Sequence, residues 1–242
     1  MRSPQATPDA AARPAPVEGE RELKFIVPDG RAELARRWLD LICKRDPTFP
    51  AAVVWTIYYD TPALVSLGEK INSDYLKRKI RVRWYSDLQG RAAGPAFVEA
   101  KLRLGNRRSK VRARLPHRAE DLAVWDLQDP RLRQFPLLLR DQGILADGSW
   151  QPALLVRYRR DRFIEPMTRS RVSLDADIAG VAVNPTLLSG ADYTAVGLAV
   201  LEVKGATDEL PPALRPILQL GWRKSSFSKF LAVHSHMARR TP

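Results

Sequence analysis

With Cys43 as its one cysteine, the chain has no partner for an internal disulfide and no set of thiolates for a zinc site. Histidine is almost as scarce. His117, His234 and His236 are too few and too scattered for a histidine metal centre, and no local signature of Ser-His-Asp chemistry accompanies them. There is no run of about eighteen apolar residues that could span a membrane, and Arg2 is not followed by the apolar segment a secretory leader needs. A soluble, cytoplasmic protein is the expectation. Acidic residues are outnumbered, 27 against 40 Lys and Arg, and the formal charge is +13 with a pI near 10.3. That balance calls for an anionic partner, whether nucleic acid, membrane surface, nucleotide or inorganic phosphate.

The 242 residues, 45% of them hydrophobic, suffice for one or two domains with a real core. Residues 1–19 are rich in Ala and Pro and poor in large apolar groups, so they read as a disordered tail. From Glu20 to Pro242 no linker is long enough to divide the chain, and a single domain is expected. Alternation predicts strands near 20–27, 52–59, 77–86, 96–103, 108–115, 152–163, 169–177 and 196–204. Leu34, Trp38, Leu41 and Ile42 fall at helical spacing within 31–44. Two helices are expected between His117 and Gly143, one from Pro211 through Leu220, and a last one from Ser228 to Ala238. The expected class is therefore α+β. Eight strands joined mostly as hairpins are also enough for an antiparallel sheet to close into a barrel with a lumen.

The strands carry an unusual pattern. Lys77, Lys79, Arg81 and Arg83 alternate with Ile80, Val82 and Trp84; Glu99, Lys101 and Arg103 with Val98, Ala100 and Leu102; Lys110, Arg112 and Arg114 with Val111, Ala113 and Leu115. Each strand thus presents one charged and one apolar ridge. A sheet with one wet side explains any single case. The repeated bias toward Lys and Arg, with a carboxylate two residues from a Lys in three places, suits a surface that holds a polyanion together with a metal ion. Glu20, Glu22 and Lys24 form E-x-E-x-K, whose two carboxylates are hard oxygen ligands suited to Mg²⁺ or Mn²⁺. A solvated edge strand explains that motif equally well. Glu202 and Lys204 lie inside the apolar run 199–204, where buried charge must be paired or coordinated. Arg160 and Arg171 add guanidinium groups that can grip phosphate oxygens in bidentate fashion. Asp175 is either a metal ligand or the partner of a nearby Arg.

Taken in order, short motifs resemble the VTC domain, the polyphosphate polymerase domain of the triphosphate tunnel metalloenzyme superfamily. They are E-R-E-L-K-F at 20–25, I-Y-Y-D-T at 57–61, K-I-R-V-R-W-Y at 79–85, V-E-A-K at 98–101, S-K-V-R at 109–112, R-Y-R-R at 157–160, R-V-S-L-D at 171–175, L-E-V-K at 201–204 and S-S-F-S-K-F at 225–230. The resemblance implies a closed tunnel of about eight strands whose basic lumen binds ATP and inorganic polyphosphate with Mn²⁺ or Mg²⁺, and transfer of the ATP γ-phosphate to a growing chain. It places Lys24, Arg81, Arg83, Lys101, Lys110, Arg160, Arg171, Lys204 and Lys229 on phosphate-binding positions, Tyr158 and Ser228 on polar contacts, and Glu202 on the metal-binding acid. Phe25 stands where a Tyr is common, and Ser226 where some members carry Lys.

The same residues give a consistent expectation for the chemistry. Phosphoryl transfer depends on positioning and charge stabilisation. Arg81, Arg83, Glu202 and Lys229 are the expected catalytic group, with Glu202, and Glu22 and Asp175 as further candidates, for the metal. Lys79 and Arg112 join the phosphate-binding set. Two rivals stand beside the polymerase: a triphosphatase or polyphosphatase of the same fold, and a non-catalytic polyphosphate or nucleotide binder. Nucleic acid is not expected, because aromatics do not punctuate the basic ridges as stacking platforms would. Eukaryotic relatives are coupled to membrane segments, so a separate membrane protein is a further candidate partner.

Overall fold

Strands whose two faces differ this sharply in chemistry must bury one face and turn the other toward water or toward themselves. The computed structural model describes residues 21–105, 107–144, 146–190 and 193–238, and the expected tail and Glu20 lie outside them. Eleven strands form one antiparallel sheet: β1 (Arg21–Pro28), β2 (Lys44–Arg45), β3 (Ala51–Asp60), β4 (Leu76–Ser86), β5 (Pro95–Leu104), β6 (Arg107–Arg118), β7 (Gln151–Ile164), β8 (Arg171–Val183), β9 (Thr194–Ala195), β10 (Leu198–Gly205) and β11 (Arg223–Lys224). Their hydrogen-bonded order is β11-β1-β10-β8-β7-β3-β4-β5-β6, with β2 on β7 and β9 on β8.

The expected closed eight-stranded barrel is therefore corrected: among the described residues the sheet has eleven strands and an open path. Its eight long strands match the eight expected segments, but the ladder ends at β6 on one side and at the two-residue β11 on the other. The reason lies in what fills the seam. Beyond β11 the backbone turns across the β1 edge, where Ser225 N–H donates to Lys24 O at 2.9 Å. The neighbouring wall then reaches it with side chains: Lys70 Nζ donates to Ser226 O (3.0 Å) and Lys79 Nζ to Ser228 Oγ (3.4 Å).

The apolar ridges pack outward under two covers. Over β1, β10, β8 and β7, Leu23, Phe25, Leu174, Leu201 and Phe163 bury against helix α1 (Ala32–Ile42) and a 3₁₀ segment, Pro212–Leu220. Over β3 to β6, Ile57, Ile80, Val82, Trp84 and Val98 bury against α3 (Ala119–Val124) and a 3₁₀ run, Pro130–Gln142. The predicted apolar face of α1 is rotated: Leu34 and Leu41 are exposed, and Ala32, Ala35 and Leu39 face the sheet. Small alanines let the helix axis approach closely, so Leu39 fills the contact. A third cluster lies on the inner face, where Val54, Tyr58, Leu154, Val156 and Ile178 meet Phe230, Val233 and Met237 of α4 (Lys229–Ala238), with Leu67 of α2 (Val65–Ile71). α4 thereby plugs one part of the inner face with apolar side chains. The remainder is left to the charged ridges.

Candidate functional site

Alternation puts Lys79, Arg81 and Arg83 of β4 on the face opposite Ile80, Val82 and Trp84, which are buried in the outer cluster. The antiparallel register then sets Lys79 opposite Lys101, Arg81 opposite Glu99, and Glu99 opposite Arg112. Glu99, 1% exposed, is the hub of this wall. Arg81 donates to its Oε2 from Nε (2.8 Å) and Nη2 (2.6 Å), and Lys110 Nζ lies 3.0 Å from Oε1. Arg83 and Arg112 stand farther off, at 3.8 and 3.7 Å. Burial acts to raise the Glu99 carboxyl, but the charges of Arg81, Arg83 and Lys110 outweigh it and hold the group far below the usual carboxylate range.

A second hub forms on β8. Asp175, fully buried, accepts from Arg160 Nε (2.5 Å) and Nη2 (2.6 Å), and from Lys229 Nζ (2.6 Å). Burial opposes ionisation here too, yet Arg160 and Lys229 bring its pKa down to about 2. Both oxygens are thus engaged by cations, which fits the Arg-partner role left open for Asp175. Lys229 is the first residue of α4, so the helix that plugs the inner face also delivers an ammonium group to it.

The third group spans β1 and β10, where Glu22 pairs in register with Lys204 and Lys24 with Glu202. Lys24 Nζ is 3.0 Å from Glu22 Oε1, and Lys204 Nζ 2.9 Å from Glu202 Oε1. Arg160 Nη2 reaches Glu202 Oε2 at 3.4 Å and so links the second hub to the third. Burial would raise Glu202, but Lys204, the adjacent Glu22 side chain and Lys24 keep it well below its ordinary value. Glu22 is thus held by an ammonium group, as Glu202 is. Two adjacent carboxylates fit a hard divalent cation, which commonly takes one or two carboxylates and completes its shell with substrate phosphates and water. Among the described residues no cluster of three or more His, Cys, Asp or Glu could hold a metal, so Glu22 and Glu202 would need those substrate oxygens.

The three groups share one space. Lys101 on β5 feels Arg81 on its neighbour strand and also Glu22, Lys204 and Glu202 from the far wall; burial first, then Arg81, lowers its pKa to about 7. Lys79 is lowered well below the ordinary lysine value by burial and by Arg81, Lys24, Lys101 and Lys229. Tyr158, from the middle of β7, is buried with its hydroxyl unpartnered. Burial would raise it, but Arg83, Arg160 and Lys229 prevail and lower it. Ser228 adjoins Lys79. Arg171 lies on the same face of β8, at its exposed start, opposite Lys204 in the register. Sequence reading underrated Glu99, whose E-x-K spacing to Lys101 was visible; that four basic groups would close on it depends on the β4–β5–β6 register.

The fold has neighbours among solved structures. A Bacillus halodurans protein assigned as a candidate adenylate cyclase superposes with a TM-score of 0.53 at 12% identity, covering 87% of this chain and 95% of that one. A candidate adenylyl cyclase from Hippeastrum, HpAC1, described as having a dominant triphosphatase activity, gives 0.49 at 15% identity over 88% and 94%. The first likeness is one of fold. No curated protein is matched by the chain. The expectation of a separate membrane partner is not supported, and no helix among the described residues is long and apolar enough to cross a membrane. The sequence profile of the VTC domain matches residues 20–237, the span that carries both hubs, the Glu22–Glu202 pair and α4, and the chain belongs to the VTC domain family.

Proposed function

We propose that the chain is a metal-dependent polyphosphate polymerase that moves the γ-phosphate of ATP onto a polyphosphate chain along the inner face of the sheet. The observation that carries this is the convergence of basic side chains from β1, β4, β5, β6, β7, β10 and α4 on one buried face, where they outnumber the carboxylates that pair with them. Such an excess of positive charge in a low-dielectric space costs stability until an anion arrives. A phosphate chain would supply it.

In this mechanism Arg81, Arg83, Lys101, Lys110 and Arg112 hold phosphate oxygens along one wall, and Lys24, Arg160 and Lys204 along the other. Their carboxylate partners keep the cations in place beforehand, so little reorganisation accompanies binding. Tyr158 Oη, unpartnered among Arg83, Arg160 and Lys229, is placed to donate to a phosphate oxygen. Lys229 and Ser228, at the start of α4, would orient the transferred or accepting group, where the helix N-terminus also favours anions. A divalent cation at Glu22 and Glu202 would neutralise charge that develops on the transferred phosphate. The accepting terminal phosphate is already ionised and needs no strong base.

The test is incubation of the full chain with ATP and Mn²⁺ or Mg²⁺, followed by separation of long-chain polyphosphate from orthophosphate. Chain growth is expected. Orthophosphate release alone would make the protein a triphosphatase of the same fold, and neither product would leave a binding module. Glu202→Gln is expected to abolish metal-dependent turnover while the fold, followed by circular dichroism, survives. Unchanged turnover would remove Glu202 from the metal site.

A further inference from the structure

The basic ladder of β4 and β5 does not stop at the convergent site. Its rungs run Arg81–Glu99, Lys79–Lys101 and Lys77–Arg103, and Gly105 N–H then donates to Tyr75 O (2.9 Å), which makes Tyr75–Gly105 the next. Here the chemistry changes from charge to a ring. Gly105 has φ +57°, and a Cβ there would lie 2.6 Å from Tyr75 Cε2. The phenol therefore rests where a side chain would otherwise be. It is nevertheless 72% exposed, so one face is held by the hairpin and the other is open. That open side forms part of a cavity of about 620 Å³ whose wall also includes Lys77, Arg103, Arg107, Asp74 and Ser73. Arg103 is braced there by its own Nε bond to Gly105 O (2.7 Å).

We propose that this cavity is the nucleobase subsite of the nucleotide donor, with the base stacked on Tyr75; the assignment rests on the phosphotransfer reading above. A bare phosphate chain is drawn by Lys77, Arg103 and Arg107 but gains nothing from the flat ring or from the Asp74 carboxylate. A nucleoside gains from both, since every base has a π-face to stack and its amino or ribose hydroxyl groups can donate to a carboxylate. Spacing fits as well. From Tyr75 to Lys79 the strand rises roughly 13 Å, so a base on Tyr75 puts the α-phosphate beside Lys77 and Arg103 and the distal phosphates at the Lys79 and Arg81 rungs. Ser228 lies 3.4 Å from Lys79 at that level. The nucleotide is thereby given a direction, base outward at the β5–β6 hairpin and γ-phosphate inward toward α4.

The experiment compares ATP with inorganic tripolyphosphate by titration calorimetry on the full chain, in the wild type, Tyr75→Leu and Tyr75→Phe. Leucine still covers Gly105 but has no ring; phenylalanine keeps the ring without the hydroxyl. The ratio of ATP affinity to tripolyphosphate affinity is expected to fall about tenfold in Tyr75→Leu and to stay at the wild-type value in Tyr75→Phe. In the proton NMR spectrum, the adenine resonances of bound ATP should shift upfield in the wild type and lose that shift in Tyr75→Leu. An unchanged ratio in Tyr75→Leu overturns the assignment. Equal losses for both ligands also overturn it, because the ring would then serve only to order the phosphate ladder. A wild type that binds neither ligand would instead bring down the phosphotransfer reading on which the subsite rests.

Discussion

Glu99 shows how a single residue can set the character of the site. Its carboxylate is 1% exposed and lies within salt-bridge distance of Arg81, Arg83, Lys110 and Arg112. Removing one partner of a buried ion pair leaves the other charges uncompensated, a loss of about 3–5 kcal/mol. Glu99→Gln should therefore lower stability by about that amount in urea unfolding, and saturating tripolyphosphate should recover part of it, because a bound anion takes over the neutralisation. A variant as stable as the wild type would mean that these basic groups find water instead. Lys101 has the opposite problem, an ammonium held at a pKa of about 7 by burial and by the charges of Arg81 and Lys204 against those of Glu22 and Glu202. Between about pH 7 and the ordinary lysine value of 10.5, the unfolded chain binds this proton and the folded one does not, so this group makes stability rise with pH in that window. Phosphate binding has the reverse sign, since it favours the charged amine. Tripolyphosphate affinity should fall as pH rises above 7, by at most tenfold per unit from this group, and Lys101→Met should show a shallower slope than the wild type in the same buffers.

Among the elements, α4 joins the apolar and the charged parts of the inner face. Phe230, Val233 and Met237 anchor it over β7 and β8, which places Lys229 on Asp175. The closeness of that packing depends on Gly180 of β8, where a Cβ would come within 2.5 Å of Val233 Cγ1. Gly180→Ala should destabilise the fold by about 1–3 kcal/mol through overpacking and should weaken ATP binding by displacing Lys229; adding Val233→Ala should restore both. If the double variant behaves like Gly180→Ala alone, the contact is not what positions the helix. The long strands and α1 were legible in the sequence because alternation and helical spacing report directly on which side meets the core. The segments 130–142 and 212–220, read as helices, are 3₁₀ instead, each with a proline inside, Pro136 and Pro216, which denies the α-helical ladder a donor. α2 is not legible in the sequence because Val65 to Ile71 is only seven residues long and holds the weak helix former Gly68, and it is held by Asp60, which accepts from the backbone N–H groups of Ser66 and Leu67.

For the whole molecule, the outer face is covered by two sets of helical segments, and the inner face is shared between the apolar cluster under α4 and the charged ridges. The amino-acid sequence determined by itself that each strand would carry one charged and one apolar ridge and that the charge would be mostly positive, because side-chain alternation is a property of any extended chain. It also carried the ordered motifs that mark the family. Only the tertiary structure decided that these ridges face one another rather than bulk water, that Glu99 and Asp175 each gather basic groups from several elements, and that the sheet stops short of closing. Those outcomes depend on strand register and on side chains brought together from positions far apart in the chain, as when Lys79 of β4 meets Ser228 at the start of α4. Local alternation contains no information about which distant strand will lie opposite. The long-range packing of α1 and α4 on the two faces supplies it.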